Sequence, residues 1–208
     1  YLALPAAGKG PGVIVIQEWW GLVDHIKDVC DRLADLGFVA LAPDLYGGWI
    51  AHDGDEAGEM MQNLPAEEGA RQLAGAVDWL LARDEVTSQT VGAIGFCMGG
   101  GLVWRLLAAG SPELAAAFPY YGPTPDNPDF AGSRDVAVLG FYGELDQRVN
   151  ATEPVAKAAL EKAGLVHELV TEPGANHAFF NDTGDRYDPT AAADAWTRTI
   201  DWLATHVG

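Results

Sequence analysis

Thr90 to Gly101 reads TVGAIGFCMGGG. The apolar run Thr90–Phe96 has strand character. It passes through Cys97, with no spacer, into a helical pattern spanning Met98–Ala109. A continuous apolar run suits a strand buried on both faces, and a helix directly after it opens a βα unit. The same alternation continues in both directions. Upstream, Gly12–Ile16 (GVIVI) and Phe38–Ala42 (FVALA, closed by Pro43) read as strands around a helix from His25 to Leu36 that stops at Gly37. Between Asp44 and Leu64 the periodicity fades into a Gly- and acid-rich loop with room for a short helix. Pro65 then opens a helix with Leu73, Val77, Leu80 and Leu81 on one face.

Downstream, Leu114–Tyr121 and Val136–Tyr142 read as strands separated by the Pro-rich PTPDNPDF loop. Thr152–Ala163 is a helix ending at Gly164, and His167–Thr171 a strand. Asp188 and Pro189 supply the cap and first turn of a last helix with the stripe Trp196, Ile200, Leu203. This order predicts one α/β domain over residues 1–208, with a mostly parallel central sheet and helices on both faces. Ligands then belong at the carboxyl ends of the strands.

Composition narrows the function classes. Thirty acidic against 12 basic residues give a formal charge of −18, which repels nucleic acid and anionic lipid and disfavours polyanionic substrates. No apolar run approaches the ~20 residues of a membrane span, and no charged-then-apolar leader is read. The chain begins at Tyr1 rather than Met, so preceding residues are expected. Its two cysteines do not make a disulfide framework; Cys30 lies on the apolar stripe Ile26, Val29, Cys30, Leu33 and reads as core. These features predict a cytoplasmic protein, a monomer or small homo-oligomer, with a small-molecule partner. No His/Cys/acid group has metal-ligand spacing, and no dinucleotide or Walker motif occurs, so no cofactor is expected.

Gly95-Phe96-Cys97-Met98-Gly99 has the form of a nucleophile elbow. A sharp turn lifts Cys97 above the sheet, small neighbours allow the tight backbone, and the helix N-terminus favours negative charge on sulfur. The Met98 N–H faces a developing oxyanion. A buried cysteine at a packing junction is the plain alternative. Two later segments weigh against that: the strand FYGELDQRV carries Asp146, and PGANHAF carries His177. Nucleophile, acid and histidine thus follow three separate strands in that order. Glu144 and, less well, Asp44 compete for the acid role. QEWWG after the first clear strand puts Glu18 beside a second expected oxyanion donor, the Trp19 N–H. A Glu18 facing solvent is the alternative there; inside the site its charge would oppose a thiolate.

Taken together, IVIQEWWG, PDLYGG, GFCMGG, PYYG, FYGELDQRV and GANHAF resemble the dienelactone hydrolase family, a cysteine branch of the α/β-hydrolases, over essentially the whole chain. The resemblance implies a three-layer α/β-hydrolase fold and carboxymethylenebutenolidase-like cleavage of esters or lactones through an acyl-thioester. It implies Cys97 as nucleophile, His177 as base, Asp146 as its orienter, and Glu18 as a glutamate contacting the resting thiol. Trp19 and Met98 would supply the oxyanion hole, with Tyr46 and Tyr121 as aromatic residues nearby. Where dienelactone-degrading members carry a carboxylate-binding arginine, this chain has Asn181, and residues 49–64 contain no arginine. Neutral, fairly apolar substrates are therefore expected, with Trp20, Trp49, Tyr121, Phe179 and Asn181 around them. A non-catalytic or redox-sensing thiol protein on the same scaffold is the other class considered.

Overall fold

The computed structural model describes residues 1–133 and 135–207. Its strands are β1 (Leu2–Ala3), β2 (Gly10–Ile16), β3 (Val39–Leu41), β4 (Val86–Phe96), β5 (Leu114–Tyr120), β6 (Ala137–Gly143) and β7 (His167–Glu172). They form one sheet in the order β1-β3-β2-β4-β5-β6-β7. Every neighbouring pair is parallel except β1 with β3. The chain moves outward from β2 to β3, then crosses back to place β4 on β2's other side. Strand order therefore reverses at β2 and β4, where parallel sheets open a crevice at their carboxyl ends.

Alternating strand residues feed two cores. Val13 and Val15 face α1 (Asp24–Asp35) and α7 (Pro189–His206), together with Ile26, Cys30 and Leu203. Ile14 and Ile16 face α3 (Ala66–Leu81), α4 (Met98–Ala109) and α6 (Glu153–Ala163), together with Leu73, Trp104 and Leu160. This is the three-layer arrangement expected from the sequence. Cys30 is fully buried and unpaired, and burial pushes its thiol up to about 12. Asp188 caps α7 through bonds from Thr190 and Ala191 N–H, and Gly164 ends α6 in the left-handed conformation.

Some elements differ from the sequence reading. β1 was not anticipated, because two residues carry no periodicity; it pairs antiparallel at the sheet edge. β4 begins at Val86 rather than Thr90, since its mixed polar start leaves the central slab and alternates in exposure. Residues 54–62 form α2 (Gly54–Gln62), capped by Asp53, with only Ala57 buried. A four-residue helix, α5 (Gln147–Asn150), follows Asp146. Among the described residues no helix is long and apolar enough to cross a membrane.

The sheet and α4 meet without side chains between them. A Cβ on Gly99 would lie 2.5 Å from the Ile16 carbonyl oxygen, and one on Gly95 would lie 2.2 Å from the Gly99 carbonyl oxygen. Gly75, on the outer face of α3, has nothing within 4 Å of such a position. Gly99→Ala should therefore lower stability by roughly 1–3 kcal/mol or more through overpacking. Gly75→Ala should raise it by about 0.5–1 kcal/mol through the helix preference for Ala. Urea unfolding midpoints of both variants check this; a tolerated Gly99→Ala would refute the backbone contact as a constraint.

Candidate active site

Register brings the first two components together. Ile16 on β2 pairs with Gly95 on β4, so Glu18 and Cys97 each lie two residues beyond paired positions on adjacent strands. Cys97 caps α4 with φ 55° and ψ −111°, a left-sided conformation that costs a non-glycine residue roughly 1–3 kcal/mol. Neighbouring bonds hold it there: Cys97 N–H donates to the Tyr120 carbonyl at 3.1 Å, and Gly101 N–H donates to the Cys97 carbonyl at 3.1 Å. The turn aims Sγ at His177, whose Nε2 lies 3.1 Å away. Met98 opens the helix, so its N–H has no intrahelical acceptor.

The other two components arrive through β6 and β7. Their pairing continues past the strands, with Glu144 N–H bonded to the Glu172 carbonyl and Leu145 N–H to the Ala175 carbonyl at 2.9 Å. That extension brings the two loops side by side. His177 Nδ1 and Asp146 Oδ2 are 2.5 Å apart, and the other carboxylate oxygen accepts from Val149 N–H at 3.3 Å. Asn176 Oδ1 accepts the His177 N–H at 2.8 Å and steadies the loop. Glu144, the rival acid, instead accepts from Gly174 N–H at 2.7 Å in an exposed turn, and Asp44 caps its own loop through Tyr46 and Gly48 N–H.

Electrostatics follow from this chain of contacts. Burial would lower the affinity of His177 for its proton. The bond to Asp146, the contact with Cys97 and their charges outweigh it and raise the imidazole to about 9. Burial would likewise raise Asp146, but the bond and charge of His177, the Val149 N–H and nearby Arg148 hold it below the ordinary carboxylate range. Glu18 is 1% exposed, which disposes of the solvent-facing alternative. Desolvation raises its proton affinity against the opposing bond from Asn181 and the charge of His177. Asn181 Nδ2 donates to Glu18 Oε2 at 2.9 Å; the other oxygen, Oε1, has no hydrogen-bond partner among the described residues. The glutamate thus bonds Asn181 and not the Cys97 sulfur.

These groups share a cleft of about 800 Å³ with Trp19, Trp20 and Met98, within the size range of small-molecule sites. Among the described residues no cluster of three or more His, Cys, Asp or Glu could hold a metal ion.

Several expected wall residues stand elsewhere. Trp49 is 75% exposed and outside the cleft, because its loop turns outward over Gly47 and Gly48, both at positive φ. Tyr121 and Phe179 are fully buried behind the site: Tyr121 packs on the His177 ring at 5.2 Å, and Phe179 packs on Tyr121 at 5.3 Å. Tyr46 supports Met98 from outside the cleft, its hydroxyl 3.2 Å from the Met98 sulfur. Asn181 reaches the cleft, but its polar atoms are engaged by Glu18 and by Thr183. Sequence reasoning missed Met61, Leu145, Arg148 and Arg186 on the walls. Arg148 could have been found, being two residues past Asp146 in a segment already singled out. Met61 and Arg186 come from a helix and a loop with no local motif.

A model of the dienelactone hydrolase family matches residues 1–207. A provisionally named carboxymethylenebutenolidase of Methylorubrum extorquens is 36% identical over 223 residues, covering 98% of this chain and 75% of that protein. The chain belongs to the dienelactone hydrolase family. Protein usf of Aquifex pyrophilus is also 36% identical, over 96% of this chain and 90% of its own. Among solved structures, a dienelactone hydrolase-like promiscuous phosphotriesterase from metagenomic libraries has 30% identity and a TM-score of 0.87. That match covers 97% of this chain and 88% of that one. Membership of this hydrolase family agrees with the α/β-hydrolase sheet and with the cleft at its switch point.

Folded His177 binds its proton more tightly than an unfolded histidine, with about 9 against an ordinary 6.5. That stabilisation is complete below about pH 6.5 and is lost as pH climbs through about 9. Asp146→Asn removes the bond to the imidazole and its charge, so stability should fall less across this window than in the wild type. Urea midpoints at pH 6, 7.5 and 9 measure it; parallel pH dependences would contradict the assigned cause.

Proposed function

We propose that this family member hydrolyses carboxylic ester or lactone bonds with Cys97 as nucleophile. The observation carrying this reading is the unbroken line Cys97 Sγ, His177 Nε2, His177 Nδ1, Asp146 Oδ2, at 3.1 Å and 2.5 Å, opening into the cleft. Its chemistry runs in two halves. The sulfur, its proton passed to His177, attacks the carbonyl carbon, and the oxygen gains negative charge facing the Met98 and Trp19 N–H groups. Collapse of this adduct breaks the bond to the alkoxide, which leaves with the proton from His177. Water then gives a proton to His177 and attacks the thioester. The carboxylic acid departs as the thiol is restored. Asp146 keeps Nδ1 protonated and Nε2 facing the sulfur throughout.

Glu18 and Asn181 set the character of the inner wall. Glu18 and the neutral amide of Asn181 offer no positive charge to an anion, so the substrate portion seated there is uncharged. This is the chemical consequence of having Asn181 where dienelactone-degrading relatives carry an arginine. Cys97 needs a free thiol, and both cysteines are unpaired, which suits a reducing, cytoplasmic setting. A pure redox sensor would need the thiol but neither the acid nor its hydrogen bond to the histidine.

Cys97→Ala should lose at least about 10³-fold in kcat on a chromogenic neutral ester while still unfolding in one cooperative transition. Mass spectrometry of wild type mixed with excess ester should find an acyl adduct on the peptide containing Cys97. Folded Cys97→Ala with wild-type turnover, or acylation elsewhere, removes the mechanism. His177→Ala should lose a similar factor, because the two residues act as one unit.

A further inference from the structure

Isolated exposed apolar residues are ordinary on a protein surface, but an apolar patch that adjoins a pocket is not. Trp79 on α3 is of the ordinary kind: it is half-exposed, and the Arg83 guanidinium covers its ring at 4.7 Å. Trp49 differs. It is the most exposed large apolar side chain among the described residues, and no other described ring or cation packs on its indole. Ile50 beside it is exposed as well.

The backbone that presents this pair is fixed at both ends. Before it, Asp44 accepts the Tyr46 and Gly48 N–H groups at 3.0 and 2.6 Å, and Gly47 and Gly48 take the positive φ of the turn. After it, Ala51 N–H donates to the Trp20 carbonyl at 3.0 Å, and Asp53 caps α2. Residues 49–51 therefore run backbone against backbone along Trp20 and Gly21. A Cβ on Gly21 would meet the Trp49 carbonyl oxygen at 2.6 Å and the Ile50 Cα at 3.4 Å. Trp20 lines the cleft together with Trp19, the two rings 5.1 Å apart, and so does the exposed Met61 on α2. The pair thus stands one chain's width outside the cleft wall, about 5 Å between paired backbones. Residues 33–70 hold eight acidic side chains and no lysine or arginine, so neither an anionic lipid surface nor a negatively charged chain end is attracted to this margin.

We propose that Trp49 and Ile50 form an apolar shelf outside the cleft that receives the far end of an uncharged, medium-length acyl chain whose carbonyl sits at Cys97. The proton path sets the side. The leaving oxygen takes its proton from His177, so the alcohol portion faces the loops of Asp146 and His177. The acyl portion then points away from them, toward the Trp19–Trp20 turn and α2. A short acyl group ends inside the cleft, whereas a longer one crosses Trp20 and covers the indole of Trp49, each methylene gaining by leaving water. The assignment to an acyl chain rests on the hydrolytic reading above; the affinity of the shelf for an apolar chain does not.

Binding and turnover on the full chain test it separately. Octanamide and butanamide are uncharged and carry no ester. Calorimetric titration should find octanamide the tighter ligand, and Trp49→Ala should weaken octanamide at least about fivefold more than butanamide. For turnover, nitrophenyl octanoate below its micellar concentration is compared with nitrophenyl butyrate. The ratio of their kcat/KM should exceed one in the wild type and fall about tenfold in the double variant Trp49→Ala, Ile50→Ser, through KM rather than kcat. Trp79→Ala removes an exposed indole that does not line the cleft and should keep the wild-type ratio. The corresponding ratio for octyl over butyl acetate, which lengthens the alcohol, should not respond to the double variant. Octanamide binding indifferent to Trp49 overturns the shelf, whatever the esters do. Loss of length dependence in the alcohol series rather than the acyl series overturns the acyl assignment. A dimer in sedimentation that Trp49→Ala dissociates makes the pair an interface between copies and also overturns the proposal. Trp49-dependent octanamide binding with no ester turnover keeps the shelf and overturns the hydrolytic reading instead.

Discussion

The close approach of backbone to backbone around Cys97 organises this molecule. Gly99 rests against the carbonyls of Ile16 and Gln17, and Gly100 against the carbonyl of Tyr120. Helix α4 can therefore begin directly above the ends of β2 and β5, with no side-chain layer between. A chain that leaves β4 and enters a helix in that space has to turn within one residue. Cys97 occupies the turn at φ 55°. The strain is sustained because flanking hydrogen bonds and the packed helix hold the turn on both sides. A looser junction would let the cysteine relax and take its sulfur out of line with the imidazole.

The rest of the site is an answer to where that sulfur points. β6 and β7 are adjacent parallel strands, so the loops leaving them emerge together and on the same side as the elbow. One carries Asp146 and the other His177. The imidazole lies between a carboxylate and a sulfur, and both favour its proton, which is why burial fails to neutralise it. Tyr121 packs on the ring, and Phe179 packs on Tyr121 behind it. Glu18 is the discordant element: a carboxylate at the base of the cleft, one oxygen bonded to Asn181 and the other unsatisfied. An unpaired buried oxygen carries a penalty on the order of 1–3 kcal/mol. Such a group persists where the site needs its charge or its proton.

The cleft lining is mixed in character. Glu18 and Asn181 are buried in it, whereas Leu145, Met61, Arg148 and Arg186 are exposed. Net charge says nothing of this arrangement, because −18 is a property of the whole surface while selectivity is decided over a few ångströms.

Sequence alone determined the layered α/β architecture, because long apolar strands and amphipathic helices have periods that local residues set. It also determined the order of Cys97, Asp146 and His177, since each sits in a motif shaped by its own strand end. Asp188 and Gly164 were legible for the same reason: caps and left-handed turns are local chemistry. The two-residue β1 and the polar start of β4 were not, as pairing partners far along the chain create them. Tertiary structure alone decided that Glu18 is buried, that Trp49 faces solvent, that Tyr121 and Phe179 stand behind the histidine, and that Asn181 is spent on Glu18. It also brought Arg148 and Arg186 from separate segments to the walls of one cleft. Burial, partner choice and the convergence of distant loops depend on how helices and strands pack, and no window of neighbouring residues contains that information.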